Sequence, residues 1–579
     1  MARLALSVAR RHLATDPRKL LSVALRAAPT PVAGSVGRIL PAQSPLRALA
    51  LDAAGQNARA RETVERLATE SPADGLPAVL RVAAILHLPT ARRIAVERLD
   101  DHPAARTARA LSLVDAGERG AAVELLAGLT ERGAASLRER VLGELAALRA
   151  RPWEEERPAP TVLAATPRSV LHVVTNSLPW TQAGYTLRTR GLTVAQSRLG
   201  WSPQVVTRPG FPVDSGALPR WAEHPVDGVP HHLLLPPSLP LRDDELLALH
   251  VEELTRLVQR LRPAVLHAHS RFTNAQAALT VGRRLGIPVV YEVRGFLEET
   301  WVSRGGDPGA EHRHLARAAE TACMAAADAV TTLSETMRQE IIGRGVDPAR
   351  VHLLGNAAPR EEITAGRAPA TLERARAHRE ALGIGPDEVV AGTVTTLNDY
   401  EGTALLVDAF AAHCRNRPEA PGHLVVVGGG PALSPLQAQR AGLPAGVAER
   451  IHLVGRVPHA EVPGWNAVLD LFCVPRLDTP VTRLVTPLKP LSAMFARSVV
   501  LVADLPPLAE LVAGGRGATV APDPAAWTRA LDEWMLPDAT TRARREATAA
   551  AGARWAEEEA TWEVVAARSV ELYDSLTGG

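Results

Sequence analysis

Lysine is almost missing from this chain: of 65 basic side chains, only Lys19 and Lys489 are not arginine. Where arginine is the default cation, a retained lysine points to a position that wants a compact ammonium rather than a planar fork. Aromatic residues make up 3% of the 579 residues, so the cores have to be built from Leu, Val and Ala. Three cysteines (Cys323, Cys414, Cys473) are odd in number and far apart, which offers neither a disulfide framework nor a metal spacing and fits a reducing cytosol. No apolar run approaches the roughly 20 residues that span a bilayer. The N-terminus lacks a signal-peptide core and cleavage site, so a cytoplasmic protein is expected. A net charge of +2, with no basic block interleaved with aromatics, argues against a nucleic-acid partner.

What is present divides the chain. Residues 45–150 show Ala and Leu at three- and four-residue spacing and no alternation, which predicts helix throughout. Thr63–Leu67 returns as Ala95–Leu99, and Leu51–Gly55 matches Leu113–Gly117; a period of about 31 predicts stacked hairpins similar to tetratricopeptide repeats. Such an array suits a protein partner, although plain alanine-rich helices read much the same. Ahead of it, residues 1–27 carry Arg3, Arg10, Arg11, Arg18, Lys19 and Arg26 among Leu, Val and Ala. They read either as an interfacial helix drawn to anionic lipid at the inner membrane face or as an ordinary solvated one. Between Arg151 and Arg168, prolines and glutamates predict a linker without a packed element.

Beyond Pro167, short β-branched runs alternate with helical stretches: Val170–Thr175, Gln204–Thr207, Val265–His267, Pro288–Val293 and Ala329–Leu333, then Val389–Val394, His423–Val427, Ile451–Val454, Leu469–Val474 and Val499–Ala503. Two such series predict an α/β protein with two Rossmann-like domains and a ligand cleft between them. The expected division is a helical, repeat-like region over 1–150, a linker over 151–168, Rossmann-like domains over 169–360 and 361–540, and a C-terminal helix within 541–579.

Candidate chemistry gathers at strand ends. Lys489 lies in Thr486-Pro487-Leu488-Lys489-Pro490-Leu491, between an apolar run and a helical stretch. A strand, a turn and a helix start with one cation is a phosphate-binding layout; the alternative, drift at a surface position, is the reading for Lys19. Gly184 and Tyr185 follow the first strand in a loop where a substrate can approach backbone, or which only turns the chain. His267 and His269 share a strand face; His269 either faces the cleft or is a satisfied core histidine. Glu292 and Arg294 put charge at the end of an apolar strand, where it is costly unless paired or used. Thr393–Gly402 and Gly428-Gly429-Gly430-Pro431 also end strands, without the spacing of a dinucleotide fingerprint or a P-loop. That disfavours NAD chemistry and ATP hydrolysis.

In their order, Leu171–Val174 with Gln182–Tyr185, Val289–Arg294, Asp399–Gly402, Val426–Pro431, Gly455–Pro458 and Thr486–Leu491 resemble the GT-B glycosyltransferases of family 4, over residues 169 to about 535. The resemblance implies a retaining, metal-independent enzyme with a UDP- or GDP-linked sugar donor and no other cofactor. It implies that the first Rossmann-like domain holds a carbohydrate or lipid-linked acceptor near Gly184 and Tyr185, with Arg294, Glu292 and His269 as catalytic candidates. The second would hold the nucleotide sugar through Lys489, Thr486, Arg476, Gly428 and Glu401, and the C-terminal helix would pack back on the first. Two positions depart from the pattern. Leu484 and Ser492 stand where the family has a glutamate pair associated with the donor, and Arg294 stands where many relatives have histidine. Three readings follow: a transferase acting on an envelope polysaccharide or glycolipid, a GT-B scaffold that has lost turnover and works through its helical region, and a nucleotide-sugar epimerase.

Overall fold

The computed structural model describes residues 1–15, 40–53, 56–86, 88–99, 102–156, 164–303, 305–366, 368–420 and 422–578. Lys19, the Arg18–Arg26 part of the basic N-terminal stretch, and Ala54-Gly55 of the internal match lie outside them.

Two sheets carry the molecule. The first has eight strands: β1 (Ser169–Val174), β2 (Ser202–Thr207), β3 (Glu223–Val226), β4 (Val229–His232), β5 (Val265–His269), β6 (Val289–Val293), β7 (Ala329–Thr332) and β8 (Val351–Leu353), in the order β3-β4-β2-β1-β5-β6-β7-β8. Every pair is parallel except β3 with β4. The second has six parallel strands: β9 (Val390–Val394), β10 (His423–Val427), β11 (Ile451–Gly455), β12 (Leu471–Val474), β13 (Val499–Ala503) and β14 (Gly517–Val520), in the order β11-β10-β9-β12-β13-β14. Strands covered on both faces are buried along their whole length and read as mainly apolar runs, as β1, β6, β10 and β13 do; β5, equally buried, carries His267 and His269. The strand order reverses between β1 and β5 and again between β9 and β12, so a crevice opens at the carboxyl ends of each sheet.

Around each sheet the buried side chains are mostly Leu, Val and Ala, with few rings. The three cysteines are buried and unpaired. Helices from Pro45 to Arg149 are 9, 14, 10, 11, 14, 7 and 18 residues long, without the constant hairpin length of a strict repeat. Their far end is docked: Gln276 Nε2 donates to the carbonyls of Ala147 and Ala150 at 2.9 and 3.0 Å, and the Gly120 N–H donates to Glu311 at 2.7 Å. Within the stretch read as an unpacked linker, Pro152–Glu155 forms a helical turn and buries Trp153 in the first sheet's core. An indole finds apolar partners even when its neighbours are charged.

The helix Ala2–Thr15 buries Leu4 and Val8 against Val213 and Leu239. Arg11 donates to the Pro240 carbonyl at 2.7 Å and pairs with Asp243. Within the described residues, this apolar stripe therefore faces protein rather than lipid. Among them, too, no helix is long and apolar enough to cross a membrane.

After β14 the chain forms Ala539–Glu559 against the second sheet, breaks, and returns as Trp562–Thr577 against the first. At the break Thr561 bridges to Ala358, the earlier crossing point. The Ala358 N–H donates to the Ala560 carbonyl at 3.0 Å.

Candidate functional site

A cleft of about 1170 Å³ runs between the two sheets. On one side stands the helix Gly184–Arg198 after β1, started where the Ala183 N–H donates to Thr186 Oγ1 at 3.0 Å. Opposite it are the loops after β9 and β10, Thr395-Thr396 and Gly428-Gly429-Gly430, with Lys489 at the first position of the helix Lys489–Phe495. The crossing residues Ala357–Pro359 and Trp562 complete the wall. Gly428 sits at φ 144°, where a Cβ would lie 1.7 Å from the Thr395 carbonyl oxygen. Only glycine lets these two loops approach.

Charge is uneven along this wall. Its carboxylates, Asp227 and Glu563, are already paired with Arg190 and Arg198. The lining residues of the second domain include Lys489 and Arg456 but no carboxylate. Lys489 Nζ donates to Thr395 Oγ1 at 2.7 Å. Burial lowers its pKa below the ordinary lysine value, with Glu401 pulling it back up and Arg476 pushing it further down.

Of the residues singled out in the sequence, Lys489, Gly428 and Gly184 line the cleft. Arg476 and Glu401 are committed to each other instead, joined by two hydrogen bonds of 3.1 and 3.0 Å, with Arg476 also donating to the Val485 carbonyl. They brace the ends of β9 and β12 beneath Lys489. Thr486 has a buried Oγ1 without a partner, and its carbonyl accepts from Asn356 Nδ2 at 3.1 Å. Tyr185 is partly exposed, its hydroxyl accepting from Asn176 Nδ2 at 2.9 Å. Ser492 is in the cleft wall, whereas Leu484 packs against the first sheet's core.

His269, Glu292 and Arg294 do come together, but behind the wall. Glu292 is fully buried. Its carboxylate accepts from Arg188 Nε at 2.8 Å and Arg294 Nε at 2.8 Å, and lies 2.6 Å from His269 Nδ1. Burial alone would raise this carboxyl, but Arg188, Arg294 and His269 together hold it well below its usual range. Arg294 reaches on to the Tyr185 carbonyl at 2.8 Å and Thr189 Oγ1 at 3.1 Å. Burial brings its pKa down to about 10 despite Glu292.

The imidazoles of His172, His267 and His269 cluster at β1 and β5 with nitrogens close enough to share a metal ion. Other partners already claim most of those nitrogens. His172 lies 2.8 Å from His269 Nε2 and 2.9 Å from Gln196 Oε1, and His267 Nδ1 lies 2.5 Å from the Tyr573 hydroxyl. Two guanidiniums on one carboxylate also leave a positive excess beside the cluster, which opposes a cation there. Burial keeps the histidines neutral, lowering His172 to about 4 and His267 and His269 well below the ordinary value. The group is a hydrogen-bonded network.

Among the wall residues to which sequence reasoning gave no role are Arg188, Thr395 and Trp562. Arg188, 2% exposed, lines the cleft and donates to the carbonyls of Leu354 and Gly355 at 2.6 Å each; nothing in its helical neighbourhood marks it. Thr395 lies in the polar loop already noted, but its pairing with Lys489 spans 94 residues. Trp562 lies so close to Gly191 that a Cβ there would be 2.3 Å from the indole.

Residues 183–357 match the glycosyl transferase 4-like domain, and residues 388–536 match glycosyl transferases group 1. A D-inositol 3-phosphate glycosyltransferase of Jonesia denitrificans is 24% identical over 319 residues, 54% of this chain and 71% of that protein. A lipopolysaccharide core biosynthesis mannosyltransferase of Rhizobium meliloti is 33% identical over 144 residues, 24% of this chain and 38% of the relative. Among solved structures, Anabaena HepE in complex with UDP superposes with a TM-score of 0.54 at 16% identity, covering 70% of this chain and all of HepE. At that identity the match speaks for the fold, two parallel sheets in the GT-B arrangement.

Proposed function

We propose, from the premise that this chain is a GT-B glycosyltransferase of the group 1 type, that it transfers a sugar with retention from a nucleotide diphosphate donor to an envelope polysaccharide, glycolipid or related acceptor. The observation that carries this reading is the wall formed by Lys489, Thr395 and Gly428–Gly430, cationic and free of carboxylates on the second-domain side. A diphosphate is the ligand class that suits it: an ammonium with N–H groups to spare and a glycine loop that lets backbone approach. When the bond between the sugar's anomeric carbon and the phosphate oxygen breaks, negative charge collects on the leaving diphosphate. A cation already held at that point stabilises the transition state more than the ground state. The acceptor hydroxyl enters from the Gly184 side and attacks the anomeric carbon, and its proton passes to the departing diphosphate. Neither a metal ion nor a further cofactor is required by this scheme.

Relatives that transfer sugars to inositol phosphate and to a lipopolysaccharide core support an envelope or lipid-linked acceptor. Arg294, Glu292 and His269 shape the first-domain wall from behind rather than touching substrate. A second reading is favoured by Leu484, which packs into the first domain instead of presenting a carboxylate: a scaffold without turnover.

Thermal melting with UDP, GDP, ADP and their sugars separates the two. A nucleotide at about 100 times its dissociation constant adds roughly 2.7 kcal/mol. A shift with one nucleotide, lost on Lys489→Ala, supports the donor site and names its base. No shift with any of them leaves the scaffold reading.

A further inference from the structure

Behind the cleft wall, an unbroken path of polar side chains runs from the last helix to the residues that shape it. Tyr573, on Trp562–Thr577, meets His267 Nδ1 at 2.5 Å and accepts from Gln196 Nε2 at 3.1 Å. Gln196 Nε2 also donates to Ser569 Oγ at 2.9 Å, while Gln196 Oε1 lies 2.9 Å from His172. His172 meets His269, and His269 meets Glu292. We propose that Tyr573 is a positioning residue of the transfer site, holding Glu292, and through it Arg188 and Arg294, by way of Gln196, His172 and His269.

Three observations carry this assignment. Tyr573, His267, Gln196, His172 and Glu292 are each 0% exposed in a domain whose core is mostly apolar. Desolvating five polar groups is costly unless they are partnered, and each makes at least one hydrogen bond, His267 through Nδ1 only; a network of this kind holds or fails together. Its far end is at the cleft: Arg188 lines the wall and grips the crossing segment Leu354–Gly355, and Arg294 fixes the Tyr185 carbonyl beside Gly184. Its near end lies beyond the Ala358–Thr561 bridge, where the chain has returned from the second domain. Docking of the final helix thereby sets the geometry of the acceptor-side wall. Because the imidazoles are neutral, the path conveys orientation and not charge.

The proposal rests on the transfer reading above, and the test keeps the two apart. Tyr573→Phe removes only the hydroxyl, since the ring keeps its packing against Trp201. With the nucleotide sugar that shifts the melting curve, kcat is expected to fall about tenfold or more while donor KM stays within about twofold, the pattern of misplaced rather than missing groups. The nucleotide-induced melting shift stays as in the wild type. Isotope-labelled histidine NMR should show the His269 imidazole resonances moved, although no hydrogen bond joins His269 to Tyr573 directly. Ser575→Ala, on the same helix but outside the path, should leave all of these unchanged. Should Tyr573→Phe fail to fold, Ser569→Ala weakens the same Gln196 contact and carries the same expectation on a smaller scale. A kcat within about twofold of wild type, or kcat and donor binding lost in proportion, overturns the proposal. If wild type neither binds nucleotide nor transfers sugar, the transfer reading falls, and unmoved His269 resonances in the variant overturn the network by themselves.

Discussion

Replacing Lys489 with methionine keeps the length of the side chain and removes its charge, and the structure sets opposite expectations for binding and for stability. An ammonium has three N–H donors, and the Thr395 hydroxyl takes one of them at 2.7 Å. The remaining donors border the cleft, where a charge-assisted hydrogen bond to phosphate is worth about 1.5–3 kcal/mol. Affinity for a nucleoside diphosphate should therefore drop roughly 10- to 150-fold in calorimetric titration of Lys489→Met. Stability goes the other way. Burial lowers the Lys489 pKa in the folded chain, so the charged form is less favoured there than in the unfolded chain. Removing the charge should leave the ligand-free melting temperature unchanged or raised. A residue retained only for packing would give the reverse pair, a lower melting temperature and intact binding. A variant that binds within about twofold of wild type refutes the diphosphate assignment.

Other expectations follow from the same contacts. Glu292→Gln leaves Arg188 and Arg294 without their buried counter-charge, which should cost about 3–5 kcal/mol in chemical denaturation; a loss below about 1 kcal/mol would mean the guanidiniums find other partners. Acid should destabilise the protein early. The buried His172 and His250 fall from 6.5 to about 4, so between those values the unfolded chain binds more protons than the folded one. Each then removes roughly 3 kcal/mol of stability by pH 4. Denaturation midpoints that stay flat from pH 7 to about 4 would contradict neutral burial. Ser492→Glu puts a carboxylate into the second-domain side of the wall, whose lining has none, and should strengthen nucleotide-sugar binding roughly tenfold through a charged hydrogen bond. Weaker binding would mean the site is built around serine.

Much of the architecture was legible because it is written in local pattern. All ten apolar runs became strands, since a strand packed between layers of helices favours a short, mainly apolar, β-branched sequence. Four strands escaped: the hairpin of β3 and β4, and the short β8 and β14. Glu223–Val226 and Val229–His232 contain Pro, His and Glu, so they carry no apolar signature. Trp153 escaped as well, hidden among prolines and glutamates.

The site divides along the same line. Residue type alone singled out Lys489, because a rare ammonium in an arginine-rich chain is conspicuous wherever it lies. The strand-end glycines Gly184 and Gly428 were found by their place after apolar runs. The family resemblance assigned Arg476 and Glu401 to the donor and Glu292 to catalysis, because a motif gives the charge without revealing its partner. Only the folded chain shows that Arg476 and Glu401 satisfy each other, and that Glu292 is shared by two arginines behind the wall. Arg188, Tyr573 and Trp562 were assigned by tertiary structure alone. Their partners lie up to hundreds of residues away, and such distances close only when two sheets and a returning helix are packed together. The sequence by itself determined most of the elements, their α/β class and where ligand-facing loops begin. Which charges meet each other and which meet the cleft was decided by packing, because desolvation acts on what surrounds a side chain and not on its neighbours in sequence.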